Sequence, residues 1–212
     1  FILAAVPELV NDIGEKGLGP ESEAVFVESR FDQEMGELTL YAESNINSLN
    51  HFHNVDHLQF VRESIQKIIN FLKEMGGELR PFFTQTLEAA ALTHDLGHTG
   101  VIASNDFEEN VVTALRLTYE FGKKRNWPLR FLLRVLENIV LTESSSPDIK
   151  AMDIPGCMIQ MADIANVVAD GDYFYDCCEQ IVREMQKKPA DIDGWINGMQ
   201  QFFFDGFLKG RI

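Results

Sequence analysis

The chain is short of positive charge. Its 212 residues carry 18 Lys and Arg against 33 Asp and Glu, a formal net charge of -15. That balance argues against a broad surface for nucleic acid or for an anionic membrane. Cysteine is scarce too: Cys157, Cys177 and Cys178, an odd number with two adjacent, make neither a disulfide framework nor a zinc module. A reducing, cytoplasmic setting with structural cysteines is expected. No uncharged apolar run approaches the length of a membrane span, and no basic stretch precedes Phe1 to Val6, which argues against a signal peptide. Repeats, low-complexity tracts and alternating strand series are all lacking. Histidine is the scarcity that informs most: there are five, and all lie between His51 and His98.

What is present reads as helices. Val55, Leu58, Val61, Ile65, Ile68, Ile69 and Leu72 recur every three or four residues, one buried stripe of a helix that Asn54 caps and Gly76 and Gly77 end. Pro81 opens a second helix through Phe82, Phe83, Leu87, Ala90 and Ala91. Asn105 and Asp106 cap a third through Val111, Leu115 and Tyr119, and Pro128 opens a fourth through Leu129 to Val140. Ser144 to Pro147 mark a loop. Pro155 opens a fifth helix, over Cys157 to about Val168, and two more follow from Asp172 and from Asp191. The aromatic stripe of the last, Trp195 to Phe207, reads as core whose far end can wall a pocket. Residues 1–50 are acidic and loosely periodic, with a short helix around Leu9 and Ile13 and a helix or strand over Glu21 to Met35. The expected architecture is all-α, a compact multi-helix bundle in one domain over residues 1–212. Residues 1–50 read as a packing or homodimerisation segment. Because the chain starts at Phe1 and not Met, a regulatory domain ahead of it stays open.

The chemistry collects in three places. His53 and His57 stand four residues apart, which puts both imidazoles on one helical face. His94, Asp95 and His98 follow the alanine-rich helix as it runs toward Thr99 and Gly100. Adjacent helical residues point about 100° apart, so one cation can take both His94 and Asp95. Asp163 lies among Ile159, Met161, Ala162, Ile164 and Ala165. A carboxylate in such company is rarely unpaired, which makes it a candidate fourth ligand or else the polar edge of an apolar helix. Imidazoles and carboxylates gathered in this way suit zinc, iron, manganese or magnesium.

Together these stretches resemble the HD-domain metal-dependent phosphohydrolases, and within them the 3′,5′-cyclic-nucleotide phosphodiesterase branch. That branch carries His-Asn-x-x-His, His-Asp-x-x-His-Pro-Gly and Ala-Asp-Ile/Leu-Ser-Asn. This sequence has them in order as His53, Asn54 and His57; as His94, Asp95, His98, Thr99 and Gly100; and as Ala162, Asp163, Ile164, Ala165 and Asn166. Glu109 and Asn110 look like the family's Glu-Asn segment, and Leu141, Thr142 and Glu143 like its Leu-Ala-Thr-Asp stretch.

The resemblance implies an HD-type fold and hydrolysis of a cyclic nucleotide to its 5′-monophosphate. His57, His94, Asp95 and Asp163 would bind a first metal (zinc, iron or manganese), and Asp95 would bridge to a second (magnesium or manganese). His53 would be the general acid, and His98 would act beside the second metal. Asn166, Thr142, Asp205 and Phe207 would contact substrate. Thr99 replaces the family's proline, the stretch after Gly100 is shorter than in the animal enzymes, and Asp205 stands where a purine-holding glutamine is expected. The alternatives are hydrolysis of a nucleoside monophosphate or guanosine alarmone, a di-iron oxygenase on the same scaffold, or a non-catalytic regulatory module.

Overall fold

The computed structural model of the protein describes residues 1–47, 49–100, 106–142, 151, 153–165, 171–184 and 192–201; at 106–108, 171, 192, 195, 199 and 200 it describes the backbone alone. Asn166, Asp205 and Phe207, three of the four candidate substrate contacts, lie outside the described residues, as do the Asn105 cap and the loop before Pro147.

Among the described residues ten helices follow one another: α1 (Ile2–Ala5), α2 (Glu8–Lys16), α3 (Glu28–Asn45), α4 (Val55–Glu74), α5 (Pro81–Ala91), α6 (Asp106–Lys124), α7 (Leu129–Thr142), α8 (Ile154–Asp163), α9 (Gly171–Glu184) and α10 (Ile192–Gln201). A short 3-10 turn covers Glu21–Glu23, and no strand occurs among the described residues. The fold is an all-α bundle. No helix among these residues is long and apolar enough to cross a membrane.

The periodicity of α4 is realised as expected. Leu58, Val61, Ile65 and Ile69 are buried, each contributing about 1.5–3 kcal/mol relative to an exposed side chain, while Val55 and Ile68 pack at the stripe's margin. The first fifty residues form more than the sequence suggests. The segment open to helix or strand is the long helix α3, whose Phe31, Met35, Leu38 and Ala42 recur at helical spacing and join the same core as α4 and α5. Three glutamates within nine residues of its start dilute that stripe in the sequence. The most buried of them, Glu34, is held by Arg125 and by the indole N–H of Trp127, both far along the chain.

Helix α5 is the hub: it packs against α4, α7 and α8, and α4 also packs against α8. Alanines make this feasible, since Ala89, Ala90 and Ala91 are wholly buried and let neighbouring helices approach closely. The N-terminus of α4 and the C-termini of α5 and α8 thereby come together. Two helix ends differ from expectation. Helix α5 stops at Ala91, so His94, Asp95 and His98 sit on a run of turns, and α8 stops at Asp163.

Candidate metal centre

Asn54 begins the site by capping α4. Its side-chain oxygen accepts from the backbone N–H of His57 at 3.1 Å, and its amide donates to the His51 carbonyl. The cap satisfies one of the helix's unpaired donors, and it places His57 in the first turn, facing the end of α5.

The turns after α5 present the next residues. His94 N–H still bonds to the Ala90 carbonyl at 2.9 Å, so His94 continues the helical direction for one more turn. At Gly97 the backbone takes φ +72°, a region glycine enters without strain. Gly97 N–H donates to the Asn45 carbonyl, at the end of α3. A Cβ at this position would stand 2.5 Å from Thr113 Cγ2 on α6. The chain therefore turns away after Leu96, and His94 and His98 point to different neighbours, His94 to His57 and Asp163 and His98 to His53.

Four side chains from three segments meet here. His57 Nε2 and His94 Nε2 are 3.3 Å apart. Asp95 Oδ2 lies 3.4 Å from the first and 3.2 Å from the second, and Asp163 Oδ1 lies 3.3 and 3.2 Å from the same two nitrogens. His94 Nδ1 is 3.0 Å from the Ala91 carbonyl oxygen. That oxygen can only accept, so Nδ1 carries the hydrogen and Nε2 is turned to the group.

Burial alone opposes charge on His94, yet Asp95 and Asp163 outweigh it and hold its pKa well above the ordinary value. Burial raises the carboxylates' pKa values and the histidines more than reverse this: Asp95 falls well below its usual range and Asp163 falls to about 2. Asp95 Oδ2 is nonetheless buried without a hydrogen-bond partner. Protons can satisfy these atoms only one at a time, whereas one cation at bonding distance serves all of them. Two ligands on a tetrahedral cation with bonds of about 2.0–2.1 Å stand about 3.3 Å apart, close to the separations found. The ligand atoms of His57, His94 and Asp95 all lie within 4.8 Å of one another and could hold a metal ion, with Asp163 Oδ1 beside both histidines.

A second cluster adjoins the first. His53 and His98 stack with ring centroids 3.8 Å apart and planes within 15°. Glu184, the last residue of α9, is hydrogen-bonded through Oε1 to His53 Nδ1. Its Oε2 accepts from the backbone N–H groups of Phe52 at 2.7 Å and His53 at 3.0 Å. Burial opposes a charge on His53, but Asp95 and Glu184 raise its pKa overall. Burial and the His53 charge instead push His98 down to about 4, so the two stacked rings are shifted in opposite directions and His53 is the more basic of the pair. His98 Nδ1 accepts from Gly100 N–H at 3.0 Å, which puts its own hydrogen on Nε2. The nitrogens facing Glu184 are thus engaged in hydrogen bonds, and the ligand atoms of His53, His98 and Glu184 also lie close enough together to hold a metal ion.

Sequence reasoning missed Glu184. It lies in an acidic amphipathic helix 131 residues after His53, and nothing local separates it from Glu179. The sole available signal was a carboxylate near buried Cys177, Ile181 and Val182. Thr142 ends α7 with its hydroxyl donating to the Ile139 carbonyl at 2.7 Å, a bond within its own helix. His51 is exposed and offers no ligand atom to either cluster, although it lines a pocket with Asn50, Gly100 and Glu184. Asn110 is buried and accepts from Thr99 N–H at 3.2 Å, so α6 braces the His98 turn.

Comparison with known proteins returns no match, whether to a family model, to a curated protein or to a solved structure.

Proposed function

We propose that the protein is a metal-dependent phosphohydrolase, acting on a cyclic nucleotide 3′,5′-phosphodiester to give the 5′-monophosphate. The observation that carries the reading is the convergence of His57, His94, Asp95 and Asp163, with an unsatisfied Asp95 oxygen among them, beside a His53 hydrogen-bonded to Glu184. Hydrolysis of a phosphodiester needs a nucleophile at neutral pH, charge neutralisation on the phosphate and a proton for the leaving alkoxide.

Bound divalent cations, two in the reading preferred here, would lower the pKa of water and neutralise phosphate oxygens. The chain's own residues do the rest. His57 and His94 offer nitrogen and Asp95 and Asp163 offer oxygen to the cation. His53 is the proton donor to the leaving oxygen, because Glu184 occupies Nδ1 and leaves Nε2 for the substrate side. His98, neutral and stacked on His53, orients polar groups without competing for the proton. An acidic protein can hold an anionic substrate at such a place because a bound metal is the largest local charge. The nucleotide class is a reading from the motif resemblance, and hydrolysis of a nucleoside monophosphate or a guanosine alarmone uses the same groups.

The test is turnover by protein loaded with manganese, zinc or iron, against adenosine and guanosine 3′,5′-cyclic phosphates, nucleoside monophosphates, a guanosine alarmone and a chromogenic phosphodiester. Release of a 5′-monophosphate from a cyclic nucleotide is the expected result. Cleavage of the other esters alone would move the substrate class. No cleavage with any metal, or oxygen consumption by the iron-loaded form, would overturn the reading.

A further inference from the structure

His53 and His98 belong to segments 45 residues apart, and nothing in their own backbones fixes the distance between them. The loop before α4 carries His53. The turns after α5 carry His98 together with the cation-facing His94 and Asp95. One buried side chain joins the two. Asn50, 7% exposed, donates from its amide nitrogen to the His53 carbonyl at 3.0 Å and to the His98 carbonyl at 2.9 Å. A carboxamide has two N–H groups, and both are spent on the backbones of the two stacked histidines.

Its other face is shaped as closely. A Cβ at Gly100 would stand 2.6 Å from Asn50 Oδ1 and 3.2 Å from Glu184 Cγ. Gly100, at φ +78°, therefore leaves room for Asn50 and Glu184 to close on the turn, while its N–H holds His98 Nδ1.

We propose that Asn50 is a positioning residue of the reaction, clamping the proton-donor loop to the metal-ligand turn so that His53 meets the leaving oxygen in register with the cation. This rests on the reading of His53 as the proton donor. Asn50 touches neither the cation-facing atoms nor the His53 ring nitrogens, so it acts through the histidines it holds. A misplacement of about 1 Å at a reacting group can cost about a hundredfold in rate.

The experiment compares wild type with Asn50→Asp, which keeps the side chain's size but replaces the two-hydrogen donor by an acceptor, and with Gly100→Ala, which crowds the carboxamide from its other side. Three quantities are read on zinc-loaded protein: bound zinc, the ring nitrogen resonances of the histidines, and kcat and KM on the phosphodiester that the wild type cleaves. In both variants the His53 and His98 resonances shift while His57, His94 and zinc content stay as in wild type. The kcat falls about tenfold to a hundredfold, and KM changes by less than about threefold. Unchanged His53 and His98 resonances overturn the clamp, as does loss of zinc in proportion to activity. If wild type cleaves no ester while the resonances shift as stated, the phosphohydrolase reading fails and the clamp stands.

Discussion

His57 Nε2 and His94 Nε2 face one another across 3.3 Å, from helix α4 and from the turns that follow α5. Two imidazole nitrogens at that separation either share a proton economy with the carboxylates around them or share a cation. Because the Ala91 carbonyl orients the His94 ring, the arrangement is set before any ligand arrives.

The first prediction concerns that pair. Adding zinc or manganese raises the melting temperature of wild type, because a ligand that binds only the folded state stabilises it by about 2.7 kcal/mol at a hundred times its dissociation constant. His94→Ala and Asp163→Ala lose this response, and a chelator reverses it in wild type. Calorimetry with and without chelator checks this; an equal metal-dependent shift in His94→Ala would refute the ligand assignment.

The two clusters separate binding from turnover. His53→Ala retains bound metal but loses about a hundred to ten-thousandfold in kcat, the usual worth of a general acid, whereas Asp95→Ala loses both. Metal analysis beside steady-state kinetics decides it, and parallel loss of metal in the two variants counts against the assignment.

The pH profile tests Glu184. Its carboxylate helps to hold the His53 pKa above the ordinary value. A general acid must be protonated, so the His53 pKa sets the alkaline limb of the rate profile. Glu184→Gln removes the anionic partner, lowers that pKa and moves the alkaline limb to lower pH. A limb that stays in place or moves upward would rule out the pairing as the source of the shift.

Away from the site, Glu34 links α3 to the loop after α6. Burial raises its pKa, but hydrogen bonds from Arg125 and Trp127 outweigh that and hold it below the usual value. The stability this contributes is present above the unfolded-state pKa and is lost as pH falls through the lower folded-state value. Glu34→Gln should cost about 2 kcal/mol at pH 7, discounted from a fully buried pair because Arg125 is partly exposed. The difference from wild type narrows on acidification. Urea unfolding at pH 7 and below pH 4 measures both.

Gly97→Ala adds a Cβ 2.5 Å from Thr113 Cγ2 at a backbone angle that suits glycine. We expect destabilisation of about 1–3 kcal/mol and weakened metal binding, since the turn that presents Asp95 must move. A variant with wild-type melting and metal affinity would show that α6 does not brace this turn.

Much of the helical architecture can be read from apolar spacing. The α4 stripe from Leu58 to Ile69 and its Asn54 cap follow directly from local sequence, because side-chain periodicity and capping are short-range effects. The pairing of His94 with Asp95 and the need of Asp163 for a partner could also be read from the residues, since a carboxylate among apolar neighbours is rarely left alone, while the choice of His57 came from the motif resemblance. The full extent of α3 was not legible, because its buried Glu34 is satisfied by Arg125 and Trp127 from another part of the chain. The point where α5 ends was equally hidden: it depends on contact of Gly97 with α6.

The sequence by itself determined that the segments of α4 to α10 become helices, and which side chains are costly to bury alone. Only the tertiary structure decided that His94 and His98 part company, and that Glu184 closes on His53 and Asn50 on both histidine backbones. The Asn50–His98 and Glu184–His53 bonds join residues 48 and 131 positions apart. Helix packing selects such partners through shape and buried hydrogen bonding, for which no local pattern exists.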